Sequence, residues 1–280
     1  MSFLYNWLFG SQPEIAPTSS ANPDPPGQTR SDSQSPILSL SEDDSKLIEA
    51  RLLAALFRPQ PFDMAWIGEG QIMSVFGGLA SGKTTLAIDF LKHHPNLTDG
   101  LVFSHAEMCA RNFAKHLPAQ SLHYAYDPKL IEPFKQAHGR VFYGNSGPML
   151  PCVYMHNYAM IYEPTFLIFD SDGIPEANNS LNDLFKRSRV HRTNIMITQR
   201  YPLPLEAEIR DRVDWVFIFA GLDEASLRWI YNGYGHQFPS FEMFEALVRY
   251  YTKDYGCLVI GRGRALDSSI YWYKVDISQH

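Results

Sequence analysis

Residues 71–94, QIMSVFGGLASGKTTLAIDFLKHH, decide the fold of this 280-residue chain. The first six residues, apolar except for Gln71 and Ser74, read as a strand that runs into a glycine-rich turn; from Thr84 onward apolar residues return at helical spacing. Between the two lies GGLASGKT, Gly77 to Thr84, which fits GxxxxGK[ST] and sits where that pattern must, between a strand and a helix. The spacing has a chemical reason. Glycines let the backbone wrap phosphate groups, while loop amides and the helix N-terminus supply positive potential. Residues Gly77, Gly78, Leu79, Ala80, Ser81, Gly82, Lys83, Thr84 and Thr85 are therefore expected to cradle ATP. Lys83 would reach the β- and γ-phosphates, and the Thr84 hydroxyl would ligate Mg²⁺.

Outward from this loop the pattern stays α/β. GLVFSH (100–105) reads as a second strand, and CARNFAKHL (109–117) and PKLIEPFKQAH (128–138) as helices. PTFLIFD (164–170) is an apolar strand ending in an acid. SLNDLFKRSR (180–189) is helical, NIMITQ (194–199) a strand, LEAEIRDRV (205–213) a helix and DWVFIFA (214–220) a strand. EASLRWIYNGY and FEMFEALVRYY add two helices, and GCLVIGRG with SIYWYKVD a terminal hairpin. Nearly continuous apolar strands alternating with helices predict a mainly parallel sheet covered on both faces.

Asp170 closes its strand where a carboxylate can hold Mg²⁺. The next strand ends in Gln199, a polar residue that can simply cap a strand. Water activation has two candidates, Asp172 and Glu107. Asp172 lies two residues past Asp170 and shares its direction in an extended backbone, though DSDG is also a good turn. Glu107 follows the GLVFSH strand. The basic run Lys186, Arg187, Arg189, His191, Arg192 can serve a helix dipole, contact DNA, or complete a neighbour's site as an arginine finger. Arg210 and Arg212 compete for the last role.

The series GGLASGKT, FLIFDSD, LNDLFKRSRVHRTNIMITQ, LPLEAEIRDRVDWVFIF and CLVIGRGRALDSSIYWYKVD resembles the poxvirus-type DNA-packaging ATPases of large DNA viruses, within the FtsK–HerA superfamily of additional-strand P-loop ATPases. The likeness covers about residues 60 to 276. It implies an Asp strand separated from the P-loop strand by one ending in a polar sensor, here Gln199, that positions water or senses the γ-phosphate. It also implies a homo-oligomeric ring that hydrolyses ATP and pumps double-stranded DNA into a preformed capsid. Two departures stand out. Members usually place Glu after the Mg²⁺-binding Asp, where this chain has Ser171, and the usual Arg-His pair is loosened to Arg189-Val190-His191. The alternative is a small-molecule P-loop kinase acting on a nucleoside or nucleotide, although its base and lid signatures are not convincing here. NKxD and LSGGQ are absent, which disfavours a GTPase switch and a transporter ATPase. Ser171 keeps open a non-hydrolysing capsid component.

Composition bounds the rest. Net charge is -6, so any DNA grip must be local. Residues 11–45 are rich in Pro, Ser, Asp and Gln, and residues 1–45 are expected to form a disordered tail ahead of an ATPase domain over 46–280. The head MSFLYNWLFG is either a frayed terminus or a docking peptide for a capsid or portal-vertex protein, or for a membrane surface. A helix is expected from Ser41 through Leu56. Cys109, Cys152 and Cys257 show no CxxC spacing, favouring free thiols. With no run near ~18 apolar residues and no signal-peptide pattern, the expectation is a soluble protein of the host cytoplasm, in a virus factory, or of the virion.

Overall fold

The computed structural model describes residues 55, 57–97, 99–135, 139–141, 160–162, 164–170, 179–202, 207–262 and 270–276. The expected N-terminal tail, nearly all of the helix over 41–56, and Ser171, Asp172 and Cys152 lie outside these residues.

The strands are β1 (Gln60–Pro61), β2 (Ile72–Phe76), β3 (Asp99–Ser104), β4 (Leu122–His123), β5 (Gly139–Val141), β6 (Met160–Tyr162), β7 (Thr165–Asp170), β8 (Thr193–Gln199), β9 (Trp215–Ile218), β10 (Gly256–Gly261) and β11 (Ile270–Lys274). The helices are α1 (Lys83–His93), α2 (Glu107–Phe113), α3 (Pro128–Lys135), α4 (Asn179–Arg187), α5 (Ala207–Arg210), α6 (Glu224–Tyr234) and α7 (Phe241–Tyr251). Nine strands form one sheet in the order β1-β11-β10-β9-β2-β8-β7-β3-β4, and β5 and β6 form a separate antiparallel pair. Pairings from β9 through β4 are parallel, and only β10 runs against its neighbours.

The sheet is buried on both faces. One face packs Leu86, Ile88 and Phe90 of α1 against Met73, Val75, Ile168 and Phe217. The other packs Leu184 of α4, Ile230 of α6 and Phe244 and Leu247 of α7 against Ile72, Phe76, Leu167 and Ile197. Consecutive strand residues alternate between the two cores, which is why the strands read as unbroken apolar runs.

Two expected helices are shorter. The 109–117 segment is helical over Glu107–Phe113, and among the described residues of the 205–213 segment the helix is a single turn, Ala207–Arg210. After Phe113 and after Arg210 the chain passes into turns, which end both helices. The short edge strands β1 and β4 carry no periodicity that sequence reading could use, since two residues cannot alternate detectably.

Candidate nucleotide site

All parallel strands end at the same edge of the sheet, and the expected site residues of the P-loop and of Asp170 meet there. β2 leads into the loop at Gly77, whose N–H donates to the Gln199 carbonyl at 3.2 Å. The Gly78 N–H donates to the Ala220 carbonyl at 2.8 Å. The loop is thus hung between the ends of β8 and β9. A Cβ on Gly78 would lie 2.7 Å from the Gly221 carbonyl oxygen, so backbone meets backbone and neither glycine can carry a side chain. Gly82 takes φ 109 as the N-cap of α1, a conformation that favours glycine.

No side chain caps α1, and its first turn holds no acid. Its orphan N–H groups and the positive end of its dipole are left for an anion. Lys83 is buried, and its Nζ donates to the carbonyls of Gly77 and Gly78 at 2.8 and 2.6 Å. These neutral acceptors hold the ammonium under the loop, where a phosphate would compete for it.

Asp170 is fully buried. Thr198 Oγ1 donates to its Oδ1 at 2.6 Å, Ser104 Oγ to Oδ2 at 3.2 Å, and Thr84 Oγ1 approaches both oxygens at 3.4 and 3.3 Å. The Thr84 contacts are longer than the 2.5–3.0 Å of an ordinary O–H···O bond. A hydroxyl beside a buried carboxylate is an all-oxygen donor set, and it fits Mg²⁺, which takes one or two protein oxygens and keeps its waters. Cys109 Sγ lies 3.4 Å from Thr84 Oγ1, which brings α2 to the same corner.

Sequence reading misses Thr198 and Ser104, and it names Cys109 only as a free thiol. Thr198 and Ser104 carry a legible signal, because each is a polar residue at the carboxyl end of an apolar parallel strand, where such folds place ligands. Ser104 is in direct register with Asp170. Thr198 rather than Gln199 is the β8 residue bonded to Asp170. Gln199 alternates to the face of Ile195 and Ile197, is fully buried, and meets the loop through its carbonyl.

The other candidates are spread out. Glu107 stands at the site's end of the sheet, exposed, its Oε1 bonded to Arg111 Nη2 at 2.5 Å. Arg189 lies at the opposite end, between α4 and the start of β8, with its guanidinium on Asp214. That end is marked by Gly70, where a Cβ would sit 2.6 Å from the Arg189 Cα. Arg192 there pairs with Glu69, and Lys186 and Arg212 share Glu208, whose carboxyl the Lys186 bond holds below its ordinary range. Arg210 precedes β9 at the same far end, its carbonyl accepting from Arg262 Nη1 at 2.5 Å. The length of β8, about 23 Å at 3.3 Å per residue, separates this end from the P-loop. Neither Arg189 nor Arg210 is brought to the P-loop of its own chain.

Fold and site together define a P-loop nucleotide-binding domain in which an extra strand, β8, separates the P-loop strand from the Asp strand. Similar proteins occur in large DNA viruses. The chain is 27% identical over 234 residues to uncharacterized protein 075L of Invertebrate iridescent virus 6, covering 79% of this chain and 83% of that protein. It is 19% identical over 202 residues to uncharacterized protein L437 of Acanthamoeba polyphaga mimivirus, covering 69% of each. Among solved structures, B204, the DNA-packaging ATPase from Sulfolobus Turreted Icosahedral Virus, superposes with a TM-score of 0.48 at 15% identity, over 75% of this chain and 100% of that one. No protein-family model matches the chain.

Proposed function

We propose that this chain is an ATP-driven translocase that packages double-stranded viral DNA into a preformed capsid. The observation that carries the reading is the strand order β2-β8-β7, with Thr198 and Gln199 ending the strand between the P-loop and Asp170. That order matches what the motif resemblance implies for the additional-strand ATPases, and the related proteins in iridescent viruses and mimivirus suit a virus with a large DNA genome.

In this reading the amides of 78–84 and Lys83 bind the triphosphate and take up charge that develops on the γ-phosphoryl group. Thr84 and Asp170 hold Mg²⁺, which when bound neutralises charge on the β- and γ-phosphates. Thr198 and Ser104 orient the Asp170 carboxylate. Asp172 or Glu107 accepts the proton of the attacking water. An arginine finger from Arg189 or Arg210 would have to act on a neighbouring subunit, because both lie at the far end of their own sheet. The active species is then a homo-oligomeric ring, with residues 1–10 docking to a capsid or portal-vertex protein in the infected cell or virion. Among the described residues, no helix is long and apolar enough to cross a membrane.

The test is phosphate release from Mg·ATP with and without double-stranded DNA. Stimulation by duplex DNA, abolished by Lys83→Ala in a folded protein, is the expected outcome. Turnover that ignores DNA and requires a small hydroxyl acceptor would establish the kinase alternative instead.

A further inference from the structure

A cavity of about 280 Å³ opens beside the P-loop, lined by residues 219–222 after β9, by Leu227 of α6, and by Val248, Arg249, Thr252 and Lys253 at the end of α7. It lies on the β9 side of β2, whereas Thr84 and Asp170 mark the β8 and β7 side. The lining segment is joined to the P-loop through the bond from the Gly78 N–H to Ala220 and the close contact of Gly78 with Gly221.

A nucleoside triphosphate threaded through this loop has a direction. If its γ-end faces Thr84 and Asp170, the nucleoside must leave on the opposite side, over the ends of β9 and β10. These lie about 5 and 10 Å from β2 at ordinary strand spacing. The cavity is where that path leads. Its size falls just below the 300–1,000 Å³ typical of pockets for whole drug-sized ligands, which suits a flat heterocycle rather than an entire nucleotide.

The lining chemistry points the same way. Leu222, Leu227 and Val248 supply apolar walls, and the hydroxyl of Thr252 and the backbone groups of 219–222 supply a few polar contacts. No Asp or Glu lines the cavity. Arg249, braced by Glu245 at 3.0 and 2.6 Å, and Lys253 add cationic side chains suited to stacking on a ring or facing a phosphate. We propose that this cavity takes the purine base of the bound nucleotide, with Leu222 and Val248 against the ring and Thr252 at its polar edge. The assignment rests on the P-loop being a triphosphate site.

The experiment titrates the full chain with Mg·ATP and, separately, with Mg·tripolyphosphate, which has no base. Leu222→Trp should fill the cavity and weaken ATP binding about tenfold or more while leaving tripolyphosphate affinity unchanged. Thr252→Val, which keeps the side-chain shape, should weaken ATP by a smaller factor and again spare tripolyphosphate. Photolabelling of the wild type with 8-azido-ATP needs no variant, and the label should fall within 219–227 or 248–253. Label elsewhere, or folded variants that bind ATP like wild type, would overturn the base assignment alone. A wild type that binds neither ATP nor tripolyphosphate would overturn the triphosphate site and the base assignment with it.

Discussion

Replacing Thr198 by Val tests how the buried Asp170 carboxylate is held. The side chains are close in shape, so the main loss is the 2.6 Å hydroxyl bond to Oδ1, the shortest of the hydroxyl contacts on that carboxylate. A hydrogen bond to a charged group contributes about 1.5–3 kcal/mol. For a domain of this size each kcal/mol shifts the melting temperature by about 2–4 °C, so Thr198→Val should melt roughly 3–12 °C lower without Mg²⁺. Mg·ATP should then raise the melting temperature more in the variant than in wild type, because a cation beside Asp170 offsets the charge left under-satisfied. Thr198→Ser keeps the hydroxyl and should stay near wild type. The assay is thermal unfolding followed by far-UV circular dichroism, with and without Mg·ATP. A Val variant that melts within about 1 °C of wild type, or gains no more from Mg·ATP, would refute the reasoning.

Three further outcomes follow from other parts of the molecule. Gly221→Ala places a Cβ 2.9 Å from the Gly78 Cα at a residue with φ 84, which costs about 1–2 kcal/mol from the left-handed backbone alone. The P-loop should shift and nucleotide affinity fall while the circular dichroism spectrum is kept; unchanged affinity would mean the loop does not lean on Gly221. Burial pushes the Tyr234 phenol up to about 12, so the folded chain stays protonated where the unfolded chain begins to ionise. Its stability contribution is complete below pH 10 and is lost at roughly 1.4 kcal/mol per pH unit as pH rises toward 12, so Tyr234→Phe should flatten the decline of stability in that window, measured by urea unfolding. Arg189 is largely exposed, so Arg189→Ala should cost less than about 1 kcal/mol of stability. If Arg189 acts across subunits, its Ala variant should be inactive alone yet regain turnover when mixed with Lys83→Ala subunits; mixtures that show only the weighted sum of their components would exclude that role.

The sequence determined by itself whatever depends on local order along the chain. GGLASGKT between an apolar run and a helix specified the P-loop, because its chemistry needs contiguous amides at a helix N-terminus. Continuous apolar strands alternating with helices specified a mainly parallel, doubly covered sheet, because only strands buried on both faces lose the period of two. Tertiary structure alone decided what crosses between strands. Ser104 and Thr198 are 66 and 28 residues from Asp170, and only the register of β3, β7 and β8 puts their hydroxyls on one carboxylate. The side chain of Gln199 goes to the opposite face because the pleat allows one of two adjacent residues to face Asp170. The sequence left the basic run open to a helix dipole, DNA or a neighbour's site, and parallel strands send the residues before β8 and those after β2 to opposite ends of the sheet. There Asp214, Glu69 and Glu208 already hold Arg189, Arg192 and Lys186. Charge can be counted along a chain, but which charges meet is set by strand direction and register.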